Sequence, residues 1–185
     1  MPLQFKIQLK KITHPPVWRR IVVPEDMDFM EFHRVIQDAF GWENDHMFAF
    51  QPDEKDTDIT IGGTPFGDPG TDMQTPGKVR LKRYFKKEKQ KWRYIYDFGD
   101  WWLHTLTLEK IIPGDGAGAD CLAGKGKCPP ENCGGIWGYA ALLQQLETSK
   151  ETGIWPVYEW GIVLPKEWDA NEFDLAAVRE ILKNY

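Results

Sequence analysis

The sequence predicts an α+β fold: one domain over 1–185, built on a curved antiparallel sheet, partly barrel-like, under about three helices. Three observations carry that expectation. Trp92, Tyr94, Tyr96 and Phe98 alternate along one arm, and Trp102, His104, Leu106 and Leu108 along a second. Leu3, Phe5, Ile7 and Leu9 alternate with Gln4, Lys6, Gln8 and Lys10 at the start of the chain. Both are the period-two signature of half-buried strands. Phe32, Val35, Ile36, Ala39 and Phe40 recur instead at helical spacing.

Composition bounds the class. A chain of 185 residues, 42% hydrophobic and 28% charged, is long enough for one real core and ordinary for a globular protein. Aromatics reach 14%, with nine tryptophans, and exposed ones would mark binding surfaces. No apolar run approaches the roughly 18 residues of a membrane helix. The alternating N-terminus is a strand and not a signal peptide, so a cytoplasmic protein is expected. Three cysteines, an odd number, argue against a disulfide framework.

In chain order, a first strand runs from about Leu3 to Ile12, and His14-Pro15-Pro16 breaks it. Val17 to Val23 is a second strand, ended by Pro24. Asp28 reads as a helix N-cap with Glu31 as its capping-box partner, and Gly41 as the C-cap. His33 is placed on the flank of that helix. His46 to Phe50 is a strand. From 51 to 77 the chain is rich in Asp, Gly, Pro and Thr, a surface excursion with a brief strand at Ile59–Ile61. A short helix is expected around Leu81–Lys87. The two aromatic arms then form a central hairpin about Gly99-Asp100. Pro113 to Gly126 is a glycine-rich passage without the context of a phosphate loop. A helix from about Trp137 to Glu147 presents Ala140, Leu143 and Leu146. After a polar turn over 165–171, a last helix capped by Asp174 presents Leu175, Val178, Ile181 and Leu182.

Two constellations carry chemistry. With Gly99 and Asp100 as the loop, Asp97 and His104 become diagonal neighbours about 7–8 Å apart on one face. Such a pair serves as an acid/base unit, as two metal ligands, or as one buried hydrogen bond, and the last is preferred. Cys121, Cys128 and Cys133 are spaced C-x6-C-x4-C, looser than structural zinc usually shows. Zinc with His104 or His46 as a fourth ligand stands beside the simpler reading of buried free thiols. The expected shared site gathers His46, Asp97, Asp100, His104, Cys128, Glu131 and Cys133.

The second constellation is electrostatic. Residues 78–93 hold nine Lys/Arg and one acid, Glu88. That window is +8, so against a net charge of -5 the remaining chain carries -13. Arg80, Lys82, Arg83, Lys86, Lys87, Lys89, Lys91 and Arg93, with Tyr84, Phe85 and Trp92 between them, form a candidate nucleic-acid patch. The plainer reading is a solvated face.

The motifs Pro16-x-Trp18-Arg19-Arg20, Phe32-His33-x-x-Ile36-Gln37-x-Ala39-Phe40-Gly41-Trp42, His46-x-Phe48-x-Phe50, Tyr94-x-Tyr96-Asp97-Phe98-Gly99-Asp100-x-Trp102-x-His104 and Cys128-Pro129-Pro130-Glu131-x-Cys133-Gly134-Gly135-x-Trp137-Gly138-Tyr139 occur in that order. Together the chain resembles the plasmid pRiA4b ORF-3-like family over nearly its whole length. The resemblance implies a single α+β domain, met on plasmids, among mobile-element passengers and in ordinary chromosomes, with no settled activity. The matching positions are His33, His46, Asp97, Asp100, His104, Cys128, Glu131 and Cys133. Trp101 and the 51–77 stretch depart from the pattern. The resulting expectation is a non-enzymatic cytoplasmic binding module, associated with nucleic acid or a mobile element. The alternatives are a metal-dependent hydrolase or nuclease using the His/Asp/Cys set, and an adaptor that binds a protein through an aromatic surface.

Overall fold

The computed structural model describes residues 1–54, 58–64, 72–116, 118–153 and 167–185. Among the described residues seven strands form one sheet: β1 (Pro2–Thr13), β2 (Pro16–Pro24), β3 (Phe48–Pro52), β4 (Ile61–Gly63), β5 (Lys91–Tyr96), β6 (Trp102–Ile111) and β7 (Asp120–Lys125). Three α-helices of the described residues accompany it: α1 (Phe29–Phe40), α2 (Gly135–Thr152) and α3 (Leu175–Leu182). The strand order is β4-β3-β5-β6-β1-β2-β7, with every neighbouring pair antiparallel. The sheet is open, with β4 and β7 at its edges, and does not close into a barrel.

Period-two alternation decides which face is core. Leu3, Phe5, Ile7 and Leu9 of β1 are buried, as are Trp92, Tyr94 and Tyr96 of β5. On β6 the same face carries Trp102, His104, Leu106 and Leu108, all fully buried. Helix α1 covers this face: Phe32 meets Phe5 at 4.9 Å between ring centroids, and Phe29 meets Phe50 at 5.1 Å. Its start is fixed as expected. Asp28 Oδ1 accepts from the Met30 and Glu31 N–H groups, and Glu31 accepts from the Asp28 N–H. Gly41 ends it in the left-handed conformation, φ +83°.

Among the described residues the register shifts three times, once between Gln8 and Thr13 where β1 meets β2 and twice at bulges that bend the sheet. Between the Gln4↔Lys110 and Phe5↔Leu108 pairs, Glu109 is the extra residue on β6. Between Arg20↔Ala123 and Ile21↔Cys121, it is Leu122 on β7.

Several elements differ from expectation. The passage around 120 forms strand β7, because β2 offers it a free edge. The Leu81–Lys87 segment makes only a 3-10 turn, Leu81–Arg83. Helix α2 is longer than expected and buries Tyr139, Leu142, Leu146 and Ser149, leaving Ala140 exposed. On α3 Leu182 is buried but Ile181 is exposed. The brief strand of the excursion lies at Ile61–Gly63, two residues later than expected. The first part of the polar turn near 165 lies outside the described residues.

Candidate functional site

The hairpin turn sets the site. It spans five residues, Asp97 to Trp101, where two were expected. The cause is Asp97, whose side chain competes for local backbone donors. Its Oδ1 accepts the Gly99 N–H at 2.8 Å, and its carbonyl accepts the Trp101 N–H at 2.7 Å. Asp97 and Trp101 both adopt left-handed φ, +54° and +56°. The longer turn shifts the register by one: Tyr94 pairs with His104 and Tyr96 with Trp102. The expected diagonal of Asp97 and His104 is therefore wrong. Asp97 leaves the ladder, while His104 stays in it among core aromatics.

Asp97 turns instead to His46. Its N–H donates to the Met47 carbonyl at 2.9 Å, and its Oδ2 lies 3.8 Å from His46 Nε2. Glu131 Oε2 lies 3.8 Å from the same nitrogen. Glu131 Oε1 accepts from the Tyr96 hydroxyl and the Glu43 N–H, each at 2.9 Å. His46 Nε2 and Glu131 Oε2 are shielded from solvent, and neither makes a hydrogen bond among the described residues. Burial raises the Glu131 carboxyl above its ordinary range, as does the Asp97 charge more weakly. Burial also raises Tyr96, reinforced by Glu131.

Asp100 joins through the backbone. Its Oδ2 accepts the Gly134 N–H at 3.1 Å, tying the turn to the loop before α2. Gly135, at φ +64°, passes so close that a Cβ there would lie 2.5 Å from the Asp100 carbonyl oxygen. Trp101 and Trp137, near the two ends of this tie, are 53% and 81% exposed.

The other expected members lie deeper. His104 is fully buried; its Nδ1 is 3.0 Å from the Trp102 carbonyl, while Nε2 has no partner among the described residues. Burial pushes it down to about 3, so it is neutral at pH 7. The Trp42 ring stands edge-on to it at 5.2 Å and donates its indole N–H to the Pro129 carbonyl. Cys121, Cys128 and Cys133 are buried free thiols. Burial raises all three, Cys133 to about 12. A thiol held protonated is a poor nucleophile, and a histidine at about 3 is a poor base. Among the described residues no group of three or more His, Cys, Asp and Glu side chains is arranged to hold a metal ion.

His33 is no flank residue. It is fully buried, with Nδ1 2.8 Å from the Tyr94 hydroxyl and Nε2 against Asn44 Oδ1. Gln37 donates to the same Tyr94 hydroxyl, so a polar network ties α1 to β5. Burial pushes His33 to about 3.

The basic window divides. Arg80 faces Asp28 and Glu31, and Lys82 pairs with Asp26, so these two cations are neutralised beside α1. Arg83 sits over the Tyr84 ring. Lys86 and Lys87 are exposed on the loop before β5. Phe85 and Trp92 are core residues, which removes two of the three expected stacking platforms and leaves the half-buried Tyr84. Lys89, Lys91 and Arg93 face outward and continue a surface that the window alone does not reveal. Two rows cross the outer face of the sheet: Arg93–Thr105–Gln8–Trp18–Lys125 and Lys91–Thr107–Lys6–Arg20–Ala123. Lys6 Nζ lies 5.1 Å from the half-exposed Trp18 ring and Arg20 Cζ 5.5 Å. The bulged Glu109 binds Arg20 bidentately at 2.6 and 2.9 Å. An open depression of about 550 Å³ beside them is lined by Gln4, Arg20, Lys89, Thr107, Glu109 and Lys110. The alternation of β1 signals the strand, but only pairing shows that Lys6, Trp18, Arg20 and Lys125 meet Lys91 and Arg93.

No helix of the described residues is long and apolar enough to cross a membrane. A model of the plasmid pRiA4b ORF-3-like protein family matches residues 2–177. The chain is 32% identical over 160 residues to an uncharacterized protein, y4hQ, of Sinorhizobium fredii, covering 85% of this chain and 79% of that one. It is also similar to a crystal structure of a protein of unknown function, MM3350, from Methanosarcina mazei Go1. That likeness has a TM-score of 0.74 and 32% identity over 95% of this chain and 96% of the other.

Proposed function

The chain belongs to the plasmid pRiA4b ORF-3-like family, and from its fold we propose a binding module that lays a single-stranded nucleic acid across the outer face of the sheet. The observation that carries this reading is the pair of cross-strand rows. Adjacent strands lie about 4.8 Å apart, so five strands offer a path on the order of 20 Å. Lys6, Lys89, Lys91 and Lys125 make no ion pair with a described residue. Arg20 is compensated by Glu109 and Arg93 lies 3.8 Å from Asp53. Free lysines can track phosphates, and Trp18 offers a ring on which a base can stack. Outside residues 78–93 the chain carries -13, and that charge would repel a polyanion from other surfaces.

The test is fluorescence anisotropy with a labelled single strand of about 12 nucleotides, the scale of known single-strand sites. Four phosphates neutralised at about -0.7 each give a log-log salt slope near -3. Trp18→Ala should weaken binding by about 1–3 kcal/mol. Salt-independent binding, or no binding at low salt, rejects the reading.

A second reading has one observation in its favour. Trp101 and Trp137 flank the Asp100–Gly134 tie and are largely exposed, as an adaptor's protein-binding surface would be. Trp137→Ala, with unchanged stability and lost capture of a protein partner, would support it.

A further inference from the structure

On the inner face, Arg19 is 3% exposed. A buried cation normally has a carboxylate partner, because an uncompensated charge in the interior is costly. Arg19 forms no ion pair with a described residue. Its Nε donates to the Ala39 carbonyl at 2.7 Å, and Nη1 to the Trp18 and Lys125 carbonyls at 2.9 and 3.0 Å. A guanidinium has five N–H donors. Three are therefore used, and the two on Nη2 make no hydrogen bond with a described residue.

The surroundings hold the cation without neutralising it. The guanidinium carbon lies 4.2 Å from the Phe173 ring and 5.0 Å from the Phe40 ring. Gly124 makes room for this arrangement: a Cβ there would lie 2.4 Å from the Phe173 ring and 2.9 Å from Arg19 Cδ. The titratable groups that act most on Arg19 are Cys128 and Cys121, both kept protonated by burial. Desolvation lowers Arg19 from its ordinary value, as an uncompensated charge should.

Arg19 also lines a cavity of about 230 Å³ between the end of α1, the Lys127–Cys128 loop and α3. Its walls include Ala39, Phe40, Phe173, Val178 and Ile181. The exposure of Ile181, on the face of α3 expected to pack inward, reflects this opening. Three carboxylates stand at the lining, each already engaged. Asp38 accepts from the Tyr185 hydroxyl at 2.7 Å, Glu172 pairs with Lys127, and Asp174 caps α3 through the Ala177 N–H at 3.0 Å.

We propose that this cavity binds a small organic carboxylate, its charge on Arg19 Nη2 and its apolar body against Phe40, Val178 and Ile181. The volume is below the roughly 300–1,000 Å³ of drug-sized pockets, so the ligand is small. The nearby acids disfavour doubly charged ligands such as phosphate, which leaves a monoanion. With Nε and Nη1 already donating to carbonyls, a carboxylate would accept charge-assisted hydrogen bonds from the remaining N–H groups of Nη2. This site is on the opposite face of β2 from the proposed nucleic-acid surface and does not depend on it.

Benzoate is the probe, titrated into the full chain and read by calorimetry and by amide chemical shifts. Saturable one-to-one binding is expected, with shifts at Gly41, Cys128 and Val178. Benzamide, the neutral isostere, should bind at least about tenfold more weakly, as expected when a charge-assisted bond becomes a neutral one. Arg19→Gln should abolish binding, but it removes three buried hydrogen bonds and can unfold the chain. Ala177→Trp is the second variant: Ala177 is exposed, on a helix, and lines the cavity, so the indole fills the mouth without touching the core. It should keep the native melting temperature and lose benzoate binding. No saturable binding, equal binding of benzamide, or unaltered binding by Ala177→Trp would overturn the proposal.

Discussion

Acid should destabilise this protein through two buried histidines. His33 and His104 are fully buried and held at about 3, against 6.5 for the free side chain. In both cases desolvation is the main cause. The folded pKa is depressed, so the unfolded chain binds more protons below pH 6.5 and stability falls as pH falls. The contribution is fully present above about pH 6.5 and is lost progressively between 6.5 and 3. At pH 5 each histidine accounts for about 2 kcal/mol, so the pair accounts for roughly 4 kcal/mol relative to pH 7.5. Glu131, whose carboxyl is raised by burial, works in the opposite direction and trims the loss. Against a typical domain stability of about 5–15 kcal/mol the effect is large. Urea unfolding followed by tryptophan fluorescence at pH 7.5 and 5 measures it. His104→Leu, which keeps the shape and removes the proton site, should abolish about half of the dependence. A change below about 1 kcal/mol between the two pH values would show that both rings accept protons in the folded state. The polar network through Tyr94 would then be wrong.

Three further outcomes follow from the site. Lys6→Gln with Lys91→Gln should reduce the salt slope of single-strand binding by about 1.4 units, two phosphates at about 0.7 each; an unchanged slope moves the polyanion elsewhere. Gly135→Ala should cost about 2 kcal/mol or more, since it needs a left-handed φ and meets the Asp100 carbonyl oxygen at 2.5 Å; thermal unfolding reads this directly. Cys121, Cys128 and Cys133, buried and protonated, should be silent to a thiol reagent in the native protein and all react on unfolding; one fast native thiol would reopen nucleophilic chemistry.

What was legible in the sequence was what short-range physics decides. The β1 alternation, the Asp28–Glu31 capping box and the Gly41 cap act within a few residues, and the structure contains all three. The hairpin was legible as a pair of arms but not in register. Its loop length depends on whether the Asp97 carboxylate takes backbone donors, and the composition around Gly99 suits either turn. β7 was hidden because Gly124 and its neighbours have little strand propensity; the strand exists because β2 pairs with it. The basic window looked like one patch, yet Asp26, Asp28 and Glu31 from another segment neutralise one end of it. The convergence of His46 with Asp97 and Glu131 joins segments some 50 and 30 residues apart, a distance that no periodicity spans.

Strand β2 shows why register matters more here than composition. Trp18, Arg19 and Arg20 are consecutive, so successive side chains take opposite faces. Arg19 goes inward, donates to the Ala39 carbonyl near the end of α1, and lines a cavity. Trp18 and Arg20 go outward, beside Lys6. A one-residue slip would exchange these roles, exposing the guanidinium that holds α1 and turning Trp18 and Arg20 toward the core. The bulge at Glu109 opposes that slip, because it places the carboxylate on the outer face where Gln4 and Arg20 both reach it. Glu109 therefore both lowers the charge of the outer face and pins the register on which both proposed sites depend. Glu109→Gln separates these roles. It frees the Arg20 charge while keeping a side chain able to accept from Gln4. If the register is held by hydrogen bonding, single-strand affinity should rise and benzoate binding on the inner face should stay unchanged. If both change, the ion pair itself holds the strand in place.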